Sequence, residues 1–531
     1  MRAAGRILLL LPLLLVACQV RNMRFLSPST DTVTLAQVRQ NLGMDAYDSV
    51  VESHRILVRG HYEGADGNGT FQRTYEPDGR FYHHSEPARA GESIERYDGD
   101  VLWVEASGAP SYPMTLTRTQ LACSVEWILS GRWLAKAGSP FQSRFDRSVS
   151  KQGEPGFELQ LLEGGPETSI SLDPLALHPK ELVIEGRTDS LHMELQDWRT
   201  RRGFAWPYTI RIRNKGRAPT ILTTTEITFE PSELALQETA TREAHLEGVS
   251  FVPLASRAIP LKRSASGHLL ARPSLMGKEV GWFLIDTGTG VNCLDHQTIK
   301  ALPDFLSSNP KDSRSISVVG LGGRVESRVV QGREFALGPL RIEHMEWVTL
   351  DLTGLQEIVG IPLAGVLGGD FFERAVVDLD LADGTLILHD PRTFDASLLP
   401  WRPLRFDGTT PCVEASFDPD HSGWFRLDTG SDDTITFHAP WVRKLRLVDK
   451  ATQLIPMRLK GIGGEISAVR GRIRWFELLG QRFQKPMVTM VERATGPLAN
   501  PDLYGNIGVG FFHGQRLVLD FHHHRIALIP R

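Results

Sequence analysis

An internal repeat constrains this chain more than any other feature. The segment Gly281-Trp282-Phe283-Leu284-Ile285-Asp286-Thr287-Gly288-Thr289 returns as Gly423-Trp424-Phe425-Arg426-Leu427-Asp428-Thr429-Gly430-Ser431. Gly320-Leu321-Gly322-Gly323 returns as Gly461-Ile462-Gly463-Gly464. Gly365-Val366-Leu367-Gly368-Gly369-Asp370-Phe371-Phe372 returns as Gly505-Asn506-Ile507-Gly508-Val509-Gly510-Phe511-Phe512. Gly320 follows Asp286 by 34 residues and Gly461 follows Asp428 by 33, while Gly368 and Gly508 follow by 82 and 80. Three ordered matches at near-equal spacing mean two copies of one domain, at 250–393 and 394–531. Each copy reads as mostly β, because short Val-, Ile-, Leu- and Phe-rich runs are broken by Gly, Pro and Asp turns. Each closes on a hairpin pattern: Val376–Asp380 with Thr385–Leu388, and Arg516–Phe521 with Arg525–Ile529.

An aspartate at a strand end, followed by Thr-Gly and a hydroxyl residue, has a specific chemical use. Glycine lets the backbone turn tightly and approach a partner loop. Thr289 or Ser431 can donate to the carboxylate behind it, and Thr287 and Thr429 can cross between the two loops. Two such loops face to face bring two carboxylates together, which then share one proton and titrate as a unit. One member activates a water while the other protonates a carbonyl oxygen.

On these residues the half from 250 to the end resembles the retropepsin-like aspartic peptidases, and more distantly pepsin. Asp286-Thr287-Gly288 and Asp428-Thr429-Gly430 resemble the catalytic triplets. Gly320-Leu321-Gly322-Gly323 and Gly461-Ile462-Gly463-Gly464 look like flap tips that cover substrate, and a lid must open and close. Val366-Leu367-Gly368 and Asn506-Ile507-Gly508 resemble the hydrophobic-hydrophobic-glycine element behind the catalytic loop. Asn506 departs from that pattern, as does Gly510 opposite Asp370. The resemblance implies two acid-peptidase β-barrel lobes, hydrolysis of a peptide or protein substrate by the Asp286–Asp428 dyad, and no metal or cofactor. The two aspartates lie 142 residues apart (428 − 286), each in its own copy, so tethering favours lobes that pair within one chain over lobes that pair with their twins in another. The alternatives are a non-catalytic peptide-binding module and a lipid-binding envelope protein with the repeats as scaffold.

Outside the repeats, Arg2 and Arg6 precede the apolar run Ile7–Val16, the pattern of a secretory signal peptide over 1–17. It ends in Leu15-Val16-Ala17-Cys18, which resembles the lipobox of bacterial lipoproteins and implies lipid on Cys18. The expected location is the cell envelope, membrane-anchored and facing the periplasm. Gln19 in place of aspartate favours the outer membrane. No internal apolar run reaches the ~20 residues that span a bilayer. Net charge is −4, from 59 Lys+Arg against 63 Asp+Glu, which gives nucleic acid no footing. Cys123, Cys293 and Cys412 are odd in number, so at least one stays unpaired within the chain. His522-His523-His524 reads as a solvated turn rather than a metal site. Residues 231–249 read as a linker or connecting helix.

Residues 30–230 form an N-terminal β-rich domain with strand runs such as Ile56-Leu57-Val58 and a helix expected over 119–136, where Leu121, Val125, Ile128 and Leu129 fall at helical spacing. Tyr97 to Trp103, and Asp197-Trp198 through Trp206-Pro207-Tyr208, look like the open β-barrel of lipoprotein-carrier proteins. The fold class expected is therefore mainly β, two tandem peptidase lobes after a β-rich domain with a few helices.

Overall fold

The computed structural model describes residues 33–529 except 65–66, 89–90, 107–109, 137–138, 146–153, 163–164, 186–189, 214–217, 233–245, 254–256, 303–304, 306–313, 321–322, 462–463 and 495. The chain forms two compact units, Met1–Glu238 and Thr239–Arg531. Among the described residues no helix is long and apolar enough to cross a membrane.

The first unit is one antiparallel sheet of thirteen strands. The chain enters at its middle. His54–Gly64 pairs with Gly67–Tyr75 on one side and with the last strand, Thr220–Pro231, on the other. Two short helices precede the sheet, Leu35–Leu42 and Met44–Val51. Thr34 and Gln37 cap the first reciprocally, and Gly43 at φ +70° joins the two. Too short to carry a periodic signal, these helices escape a periodicity reading. The helix expected over 119–136 instead spans Leu116–Leu129. It stops there because Gly131 turns left-handed at φ +80°, and Arg132–Leu134 continue only as a 3₁₀ turn. The aromatics of this unit are mostly core, with Tyr97, Trp206 and Tyr208 all buried.

The second unit holds both repeats. Each builds a mixed sheet, of eleven strands in the first lobe and ten in the second. The apolar element after each Gly-rich hairpin threads between the strands that flank its aspartate. Leu363–Leu367 runs parallel to Trp282–Ile285 and antiparallel to Cys293–Asp295. Gly505–Gly508 does the same between His421–Asp428 and Ile435–Phe437. This threading fixes each aspartate at a strand end with a backbone partner behind it. The Asp286 amide donates to the Leu367 carbonyl at 3.0 Å.

The terminal hairpins leave their lobes and form a third sheet of six strands. Val376–Asp380 pairs directly with Arg516–Asp520, so the lobes are joined edge to edge by backbone hydrogen bonds. Arg516 crosses the seam to Asp378, whose carboxylate is buried. Phe372 stacks on Phe521 beneath it at 5.2 Å. Cys123, Cys293 and Cys412 are all buried.

Candidate active site

Asp286 and Asp428 come from equivalent strand ends and meet at the junction of the lobes, their carboxyl groups hydrogen-bonded to each other. The two loops are pinned by four reciprocal bonds between fully buried threonines and backbone. The Thr287 amide donates to Thr429 Oγ1 at 3.0 Å and the Thr429 amide to Thr287 Oγ1 at 3.0 Å. Each hydroxyl then donates to the opposite strand, Thr287 to the Leu427 carbonyl at 2.8 Å and Thr429 to the Ile285 carbonyl at 3.0 Å. Every hydroxyl and amide in the pin is satisfied, so it is rigid as well as symmetric.

The glycines explain themselves by contact. A β-carbon on Gly288 would lie 2.5 Å from Asp428 Oδ1 and 3.0 Å from Asp286 Oδ1. One on Gly430 would collide with the Asp286 carboxyl group. Only glycine lets each loop approach the other lobe's carboxylate.

The carboxyls have different surroundings. Asp286 accepts from the Gly288 amide at 2.8 Å and from the amide and hydroxyl of Thr289. Burial, and then the charge of Asp428, nevertheless push it up to about 7. Burial also raises Asp428, but the charge of Arg426, and then that of His268 when it is protonated, pulls against it. The Ser431 hydroxyl accepts from the Asp433 amide at 3.4 Å. His268 belongs to the first lobe, is buried, and is hydrogen-bonded to the Gly430 backbone of the second.

Residues 272–371 match the family model described as aspartyl protease. The C-terminal half carries an aspartyl protease domain. No curated protein matches the chain in sequence. Among solved structures, an aspartic proteinase from Irpex lacteus is 12% identical, with a TM-score of 0.33, covering 51% of this chain and 96% of that one. Basic 7S globulin from soybean is 12% identical at a TM-score of 0.32, covering 53% and 94%. The LolA superfamily protein NE2245 from Nitrosomonas europaea is 14% identical at a TM-score of 0.28, covering 38% of this chain and 96% of that one.

Of the residues expected as flap tips, Gly320 pairs with Gly323 and Gly461 with Gly464, each at the end of a long hairpin. Leu321, Gly322, Ile462 and Gly463 lie outside the described residues, as do Cys18 and the segment before it. The three histidines are not uniformly a solvated turn. His524 is buried against Phe406, and His523 is held by Asp520. Sequence reading missed Arg426, His268 and His438. Arg426 stands out only when the copies are overlaid, where Leu284 is its counterpart; His438 aligns with His296 and so gives no such signal. Asn506 is not a flaw in the apolar element: its side chain donates to Asp428 Oδ2 at 3.4 Å.

Proposed function

We propose that the chain is an aspartic endopeptidase of the bacterial cell envelope, anchored by lipid on Cys18, with Asp286 and Asp428 as its catalytic residues. The observation that carries the reading is the pair of hydrogen-bonded carboxyls, locked in place by Thr287 and Thr429. Such a pair holds one proton between two oxygens that cannot both ionise easily. A water between them gives its proton to the ionised member as its oxygen attacks the substrate carbonyl carbon. The protonated member delivers its proton to the carbonyl oxygen. Collapse of the diol breaks the C–N bond, and the amine leaves with the proton taken from water. Thr287, Gly288, Thr289, Thr429, Gly430 and Ser431 hold the carboxyls in register, and the hairpins ending at Gly320–Gly323 and Gly461–Gly464 cover the substrate. One chain supplies one complete site. The cross-lobe bonds and the shared sheet support that reading.

The test is cleavage of a peptide library by the purified chain and by Asp286→Asn and Asp428→Asn. Each substitution should lower the rate by ~10²–10⁴-fold while the circular dichroism stays unchanged. Wild-type turnover in either variant rejects the dyad. A chain that binds peptides without cutting them is instead a binding module. Mixing the two inactive variants should restore little activity if each site is built within one chain. Mass spectrometry of the N-terminal peptide decides the anchor: an unmodified Cys18 removes it.

A further inference from the structure

His438 is buried and caps the helix Ala439–Leu445, whereas the aligned His296 of the first lobe is exposed. Its Nδ1 lies 2.8 Å from the Asn500 backbone carbonyl and its Nε2 lies 2.8 Å from the Asn506 side-chain amide. Asn506 turns its Oδ1 to that nitrogen and donates its Nδ2 to Asp428 Oδ2 at 3.4 Å, which is the arrangement a cationic ring requires; a half-turn of the amide exchanges its two ends. We infer that His438 is a positioning residue that acts on Asp428 through Asn506, by deciding which end of the amide the carboxyl meets. The inference rests on the peptidase reading for its effect on rate, but not for the existence of the relay.

A carbonyl oxygen only accepts, so Nδ1 of His438 must carry a hydrogen. When the ring is neutral, Nε2 is bare and needs a donor. Asn506 then turns its NH₂ toward the ring and its oxygen toward Asp428, which must answer with a proton. When the ring is cationic, Nε2–H takes the amide oxygen, and Asn506 offers an N–H to ionised Asp428. Which end of an amide faces which partner follows from such a network. Neutral His438 thus stabilises protonated Asp428, and cationic His438 stabilises its carboxylate.

Other charges surround the relay. Arg426 and Asp407 face the ring from two strands of the second lobe, with Asn500 donating to Asp407 at 3.0 Å. Asp286 and His268 face Asp428 from the first lobe. Burial holds His438 down to about 4, so the neutral arrangement prevails from mildly acid pH upward. The two arrangements act at opposite ends of the pH range. The neutral one delays loss of the dyad's proton as pH rises, and the cationic one delays gain of a second as pH falls. Together they widen the interval in which the dyad holds one proton. The first lobe carries Val366 at the place of Asn506 and has no such device.

Two measurements test this on the full chain. In ¹⁵N-histidine spectra, the His438 signal, assigned by its loss in His438→Gln, should report the Nδ1–H tautomer near neutral pH. Its Nε2 shift should move in Asn506→Val, which borrows the residue that fills the same place in the first lobe. An Nε2–H tautomer, or an Nε2 shift that ignores Asn506→Val, overturns the relay. In the pH profile of kcat/KM on a peptide substrate, Asn506→Val should draw both limbs inward by about 0.5–1 pH unit. A profile of unchanged width, with the tautomer as stated, overturns the positioning role. A chain that cuts no peptide rejects the proposed function, and the tautomer alone then decides the relay.

Discussion

The two lobes share a backbone and differ in chemistry. Each presents an aspartate at a strand end, a threonine that reaches across, and a glycine that makes room. Behind Asp286 the strand is apolar, with Leu284 buried in the core of its lobe. Behind Asp428 the same place holds Arg426, 3.8 Å from the buried carboxylate of Asp407. In the first lobe Asn292 ties Asp370 to the Gly368 amide. In the second, Asp433 gathers Thr434, Thr436 and Arg470 instead. Duplication has kept what sets distance between the carboxyls and changed what sets their proton affinity. Two carboxyls in identical surroundings would have no reason to divide the roles of acid and base. Here the surroundings differ.

Exchanging residues between lobes tests how deep the difference runs. Arg426→Leu gives the second lobe the first lobe's strand. It should cost about 2–4 kcal/mol in denaturant unfolding, because Asp407 is left buried without its cation. Adding Asp407→Asn should recover most of that loss. If the single variant is neutral, the charged strand is incidental to the second lobe.

The threonines probe the shared part. Thr287→Ala and Thr429→Ala each strip one carbonyl and one amide of a buried partner, so each should cost about 1–3 kcal/mol. The two costs should agree closely, and a marked inequality would show that one lobe carries the pin.

The pH dependence of stability should have opposite signs at Asp286 and at His438. Asp286 has its folded value raised to about 7 from 3.8, so the native state binds more protons within that window. Its contribution is complete below the unfolded value and is lost as pH rises through the folded one. His438 is lowered to about 4 from 6.5, so its contribution is complete above the unfolded value and is lost as pH falls. Asp286→Asn should therefore be more stable than wild type at pH 7 by on the order of 1–2 kcal/mol, with the advantage gone at pH 3.5. An equal difference at both pH values would remove Asp286 as the source. As a baseline, Arg446→Ala, which breaks the exposed pair with Asp449, should change unfolding by less than ~0.5 kcal/mol.

What could be read from the sequence was what the fold writes locally. Asp-Thr-Gly, the Gly-rich tips and the apolar element are contiguous, because a tight turn or a threaded strand is specified over a few residues. The β class and the terminal hairpins were legible for the same reason. Hidden from that reading were contacts made by residues far apart in the chain. His268 meets the Gly430 loop only after both lobes fold, and His438 meets Asn506 only through the threading of Gly505–Gly508. Asn506 looked like a departure because its partner could not be seen. The hairpins were legible, but not that they would leave their own lobes to pair with each other. Their periodicity says which face is buried and nothing about the edge.

That seam has a consequence for when the molecule can act. The strand that borders the first lobe's hairpin is Arg516–Asp520, made long after the first aspartate has left the ribosome. A partly made chain can shape its first lobe but cannot close the sheet that brings the second one to it. A chain that stops short of residue 516 lacks the seam, whatever its two Asp-Thr-Gly loops look like. Assembly of the paired carboxyls is thereby deferred until nearly all of the polypeptide is in one place.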